Sequence, residues 1–205
     1  MKRLALILAV VAIASVAHAN LLVNGSFETQ DLTGWTTYAA SWGGSGFNVV
    51  ATPCTECDCG DWALELADGQ GSFGVFQCFA VTPGIEVTVT ATIKAMNNGA
   101  NWYELILVDG CVDGDYINDH MIPEDLMFKW DSWDNPDPPG VCVTVGGSRT
   151  PTGNVMTVAL KAGGSGCNVQ SWNDCICAEQ VIPEPGTMLL LGTGLLGLAG
   201  LARRR

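Results

Sequence analysis

The chain has 205 residues, 21 acidic and nine basic, with a formal net charge of −12. Such a balance repels nucleic acid and anionic membrane surfaces, and it suits an exported soluble domain or one that holds cations. A central part of about 160 residues is ample for one hydrophobic core and short for two, so one domain is expected.

Residues 1–19 read as a secretory signal peptide. Lys2 and Arg3 form a short positive region, Leu4 to Val16 is an apolar run, and Ala17-His18-Ala19 supplies the small-x-small pattern that signal peptidase accepts. The run is too short to span a bilayer comfortably, where ~20 residues are needed. Asn20 rather than Cys follows the cut, so no lipid-modified N-terminus is expected.

From residue 20 to 182 the dominant signal is alternation with a period of two. Ile85, Val87, Val89, Ala91 and Ile93 share one face while Glu86, Thr88, Thr90, Thr92 and Lys94 share the other, as in a half-buried strand. Shorter runs recur at 62–66, 73–81, 102–108, 141–145 and 155–161, separated by breakers such as Thr82-Pro83-Gly84 and Asn97-Asn98-Gly99. No stretch holds a 3.6-residue period. Many short strands with such breaks predict an all-β sandwich or barrel.

Residues 109–140 depart from this pattern. They are acidic and rich in Pro and Gly, and they predict a long loop with a short irregular element. Within them Asp113, Asp115, Asp119 and Glu124 fall at positions 1, 3, 7 and 12 of an EF-hand-like frame, but Ile117 and Asn118 stand where that frame wants an oxygen ligand and a Gly. A solvated acidic loop is the better expectation.

All nine cysteines lie in the central part: Cys54, Cys57, Cys59, Cys78, Cys111, Cys142, Cys167, Cys175 and Cys177. In an exported chain they predict disulfides, with connectivity open and at least one thiol left over by the odd count. Zinc is the alternative for Cys54, Cys57, Cys59, Cys175 and Cys177, but the spacings form no matched pair of knuckles and no His lies near them. The mature part keeps one histidine, His120, so a Ser-His-Asp or Cys-His arrangement would hang on it alone. No spacing singles out a carboxylate pair for glycoside hydrolysis. No enzyme is expected.

The last segment, residues 183–205, is a second address. Pro183-Glu184-Pro185 and Gly186 precede an apolar stretch from Thr187 to Ala202, and Arg203-Arg204-Arg205 closes the chain. Sixteen residues of helix cover only ~24 Å at ~1.5 Å each, enough for transient insertion and poor for a permanent anchor. The arginines stay cytoplasmic and the Pro-Glu-Pro faces outward. With both end segments set aside, Lys94, Lys129, Arg149 and Lys161 stand against 20 acids, a net charge near −16.

In these three parts the tail resembles the PEP-CTERM sorting signal of Gram-negative bacteria that make exopolysaccharide. The resemblance implies recognition by an exosortase, transient tethering in the inner membrane, removal of the tail near the Pro-Glu-Pro, and delivery to the cell surface or extracellular matrix. A plain tail anchor is the alternative.

The central part carries a second resemblance. Asn24-Gly25-Ser26-Phe27-Glu28 with Gly34-Trp35 resembles the opening of galactose-binding-type jelly rolls, the fold of many carbohydrate-binding modules. Residues 60–66 and 75–84 are similar to their second strand and their "Gln, apolar, Pro-Gly, strand" passage, and Ser171-Trp172-Asn173-Asp174 sits where they carry an aromatic and an Asp. The resemblance implies a jelly-roll β-sandwich and a structural calcium ion held by Glu28 and Asp174, with Asn173 the alternative to Asp174. Sugar binding would need exposed aromatic platforms. Trp42, Trp130 and Trp133 stand in loop sequence and are the expected stacking set, while Trp35, Trp62, Trp102 and Trp172 lie on strand patterns and are expected in the core. The function expected is non-catalytic association with extracellular polysaccharide. The alternative is a disulfide-linked matrix protein without a sugar ligand, with a secreted hydrolase third.

Overall fold

Alternating apolar and polar residues sort the described part of the chain into ten strands. The computed structural model describes residues 20–40, 45–55, 59–67, 70–96, 101–118, 122–135, 139–165 and 169–181. In chain order the strands are β1 (Thr36–Ala39), β2 (Gly46–Ala51), β3 (Trp62–Ala67), β4 (Gly71–Ala80), β5 (Val87–Ala95), β6 (Asn101–Asp109), β7 (Met127–Asp131), β8 (Cys142–Arg149), β9 (Val155–Gly164) and β10 (Gln170–Gln180). A short helix α1 (Gly114–Asn118) and a 3-10 turn (Glu124–Leu126) stand between β6 and β7.

All pairings are antiparallel. One sheet, here sheet A, runs β1-β4-β9-β6-β7, and the other, sheet B, runs β2-β3-β10-β5-β8. Their inner faces meet in the core. Sheet A contributes Phe73, Val75 and Phe79 from β4, Tyr103, Leu105 and Leu107 from β6, and Met156, Val158 and Leu160 from β9. Sheet B answers with Leu64 and Leu66 from β3, Val87, Val89, Ala91 and Ile93 from β5, and Ile176 and Ala178 from β10. Each large apolar side chain buried there contributes roughly 1.5–3 kcal/mol. The expected jelly-roll sandwich is the observed fold, and the runs predicted at 62–66, 73–81, 85–94, 102–108, 141–145 and 155–161 fall on β3, β4, β5, β6, β8 and β9.

The outer faces are covered as well. Over sheet A the segment from Cys111 to Leu126 folds back, and its Ile117 and Ile122 join Tyr38, Ile106, Val108 and Ala159 in a second apolar cluster. A disulfide between Cys78, on the outer side of β4, and Cys111 pins the start of that cover. Over sheet B the link from β2 to β3 does the same. Cys54 in that link bonds Cys142 at the start of β8, three strands from β3 in the sheet order, so Cys54 reaches across the face; a second bond joins Cys59 to Cys175 in β10. The inner face is filled by sheet A, which leaves the outer face as the only route.

The sequence-based picture of 109–140 as a loop is corrected here: β7 pairs with β6 from Val108↔Met127 to Glu104↔Asp131 and closes one edge of sheet A. The EF-hand-like frame is also set aside. Asp113 Oδ1 accepts the Tyr116 amide at 2.9 Å as a cap of α1, and Ile117 is buried in the second cluster.

Among the described residues, Cys177 carries a free thiol and no helix is long and apolar enough to cross a membrane. The signal peptide, Trp42, Cys57, Asp119, His120, Cys167 and the sorting segment Pro183–Arg205 lie outside the described residues.

Candidate ligand-binding site

Sheet A carries a polar row across its outer face. Strand register places Tyr38 opposite Gly74, Gly74 opposite Lys161, Lys161 opposite Glu104, and Glu104 opposite Asp131. Lys161 Nζ lies 3.3 Å from Glu104 Oε2, and both side chains are buried. α1 roofs this part of the row. Lys161 Nζ donates to the Ile117 carbonyl at 3.4 Å, and Gly114 packs so closely on Tyr38 that a Cβ there would strike the tyrosine side chain. Burial pulls the Lys161 amine below its ordinary range, against the opposing pull of Glu104. Burial also pushes the Tyr38 phenol well up, and the Glu104 charge adds to that. At the edge of the row Lys129 donates to Asp131 Oδ2 at 3.0 Å.

At the end of the sandwich where β6 begins, two tryptophans lie on neighbouring backbone. Trp102 alternates with the inward Tyr103 and so faces outward, half-buried, with its indole against Gly163; a Cβ on Gly163 would strike that ring. Ser132 donates its amide to the Tyr103 carbonyl at 3.0 Å and accepts the Tyr103 amide on Oγ at 3.0 Å. The backbones of Trp102 and Trp133 therefore lie one residue either side of one pairing. Trp133 is 59% exposed, and Met96 at 43% and Val141 at 49% are exposed at the same end of the sandwich.

The three tryptophans expected to stack on a ligand are thus separated. Trp133 is exposed at this corner. Trp130 pairs with Leu105 and packs half-buried against the core, so little of its ring faces solvent. Trp42 lies outside the described residues. Trp35 and Trp62 do pack in or against the core, as expected. Trp102 and Trp172 do not fit that expectation, since each is half-buried on an outer face, Trp172 with Lys94 Nζ 5.8 Å from its ring centre. Strand alternation carried the signal for Trp102: Tyr103, Leu105 and Leu107 point inward, which leaves Trp102 and Glu104 outward.

Midway along β10, Glu28 and Asp174 flank one disulfide. Glu28 Oε1 accepts the amides of Asp61 and Trp62, each at 2.9 Å, just past Cys59. Asp174 is buried, with Oδ1 accepting the Cys175 amide at 2.6 Å, and Cys175 is bonded to Cys59. β10 bulges here, its register shifting between Asp174 and Cys177, with Cys175 at φ 55°. Two carboxylates beside a bulge are oxygen donors of the kind calcium takes, although among the described residues no three acidic, His or Cys side chains gather in one place. On the other sheet, a cavity of about 510 Å³ lies beside α1, lined by Val108, Val112, Ile122 and Leu126 together with Asp109, Asp113 and Asp115. The Asp109 carboxylate is already occupied by the Thr152 hydroxyl and amide.

Comparison with known proteins agrees with both halves of this chain. Residues 181–205 match the PEP-CTERM protein-sorting motif, which indicates an exported, exosortase-processed protein. No curated protein matches the sequence. Among solved structures, the chain is similar to the module TmCBM61 in complex with beta-1,4-galactotriose, at 13% identity and a TM-score of 0.54 over 79% of this chain and 99% of that one. It is similar to the CBM22-1 xylan-binding domain of Xyn10C from Paenibacillus barcinonensis, at 17% identity and a TM-score of 0.52 over 83% and 99%. The Stig cyclase Fisc from Fischerella sp. TAU is another, at 15% identity and a TM-score of 0.57 over 80% and 98%. At these identities the likenesses show the fold, the galactose-binding-like jelly roll of carbohydrate-binding modules, which also serves cyclases.

The buried pair makes a direct prediction. Glu104→Leu alone takes the opposing charge from the buried Lys161 amine and is expected to cost about 3–5 kcal/mol in urea unfolding of the secreted domain, whereas Glu104→Leu with Lys161→Met recovers most of that loss. A single variant as stable as the parent would show that the pair is not sealed beneath α1.

Proposed function

We propose that the jelly-roll domain associates non-catalytically with polysaccharide in the cell envelope or extracellular matrix, after export and exosortase sorting. The observation that supports this most is the corner of the half-buried Trp102 and the exposed Trp133, beside the polar Lys129. Pyranose CH groups pack on such rings while hydroxyls take the polar neighbours. The strong negative charge of the domain favours a neutral glycan over an anionic one. Carbohydrate-binding modules of the same fold make the reading natural, and the cyclases of the same fold mean that the fold alone does not decide it.

The second reading, a matrix protein cross-linked through cysteine, gains little from Cys177. Burial, with the neighbouring Glu179 carboxylate, pushes that thiol up to about 12, so at neutral pH it holds its proton and is a poor partner for exchange.

Retention on insoluble neutral polysaccharides tests the binding reading. Trp102→Ala and Trp133→Ala are each expected to weaken retention severalfold, in line with ~0.5–1.5 kcal/mol per aromatic contact. Trp130→Ala is expected to lower stability more than binding. Full retention by the Trp102→Ala, Trp133→Ala double variant would reject this site.

The proposal includes a structural calcium ion held by Glu28 and Asp174, fastening the N-terminal loop to the bulge of β10. Excess chelator is then expected to lower the melting temperature of the secreted domain, and Glu28→Gln to abolish that sensitivity. An unchanged melting temperature in chelator removes the ion from the account.

A further inference from the structure

The chain leaves the sandwich at a tightly fastened point. Gln180, the last residue of β10, accepts the Thr82 amide on Oε1 at 2.8 Å and donates Nε2 to the carbonyls of Thr82 and Ile85, both at 2.8 Å. The turn it clasps, between β4 and β5, is tied in turn to the β8–β9 connection, through Gly84 donating to the Pro151 carbonyl at 2.9 Å and Val81 donating to the Asn154 carbonyl at 3.0 Å. Two strand connections and the end of β10 thus form one surface where the chain exits. Its exposed residues include Thr82, Pro83 and Glu86.

Only Val181 and Ile182 separate Gln180 from Pro183. Three Cα steps span at most ~11 Å. A domain of about 160 residues has a radius of gyration of roughly 15 Å. An enzyme that grips the Pro-Glu-Pro therefore cannot stand clear of the folded domain.

We propose that this exit surface, the β4–β5 turn clasped by Gln180, is a contact surface for the membrane-embedded exosortase that processes the tail. The proposal rests on the sorting reading and adds the folded face that the enzyme meets. It also makes the sequence between Gln180 and Pro183 a distance setter: a longer linker would free the enzyme from the domain.

The test follows precursor and mature forms of the full chain in cells that carry the exosortase. Pro83→Trp and Glu86→Arg, both on exposed positions, are expected to cause a severalfold accumulation of uncut precursor while the secreted domain keeps its melting temperature. A flexible Gly/Ser spacer of about 10 residues after Val181, reaching roughly 5–6 Å × √n, is expected to erase both effects. Normal processing of both variants at native spacing would overturn the proposal, and so would defects that persist behind the spacer. Replacement of Pro183, Glu184 and Pro185 by Ala tests the underlying reading separately, since unaltered cutting of that variant would refute sorting itself.

Discussion

Among the described residues, three disulfides hold the two outer coverings of this sandwich in place, and the closing of both outer faces follows from them. None crosses the core, which the inner faces of the two sheets fill with apolar side chains. Cys78–Cys111 fastens the cover of sheet A, while Cys54–Cys142 and Cys59–Cys175 fasten that of sheet B. The closed loops are long, with sequence separations of 88, 116 and 33. Cross-links of that span restrict the unfolded chain by several kcal/mol each, of order ~3–5. For an exported chain the oxidising compartment makes them available.

Covering both faces has a functional consequence. The polar row of sheet A, from Tyr38 through Lys161 and Glu104 to Asp131, would be an open groove without α1 above it. With α1 in place the Glu104–Lys161 pair is sealed, and what stays accessible is the corner where the row ends, at Trp102 and Trp133. That corner lies at the opposite end of the strands from the chain exit at Gln180. Strands of ten residues at ~3.3 Å each put about 33 Å between the two. On the proposed reading, an enzyme working at the Pro-Glu-Pro would stand at the clasped turn, with the aromatic corner at the far end of the domain.

Much of this was legible in the sequence because period-two alternation is a strong signal wherever one face of a strand is buried. β5 is the clearest case, with Val87, Val89, Ala91 and Ile93 all inward. β1, β2 and β7 were not legible as strands. β1 is only four residues long, and all three lie at sheet edges, where a single neighbour and partial exposure weaken the pattern. β7 was further hidden by the acidic residues around it. Pairing of the cysteines could not be read, since it depends on links that cross a sheet face rather than on spacing. Trp102 is legible only through alternation: a large aromatic on a strand suggests the core, but Tyr103, Leu105 and Leu107 already take the inward face. The buried charges of Lys161 and Glu104 left no mark at all, because they meet only through register between β6 and β9 and are sealed only by α1.

A peptide map of the mature secreted protein, digested without reduction, tests the whole arrangement at once. Links joining Cys54 to Cys142, Cys59 to Cys175 and Cys78 to Cys111 are expected, on a polypeptide that starts near Asn20 and has lost the arginine triplet. Other partners for these six cysteines, or a mature chain that keeps Arg203–Arg205, would contradict the account.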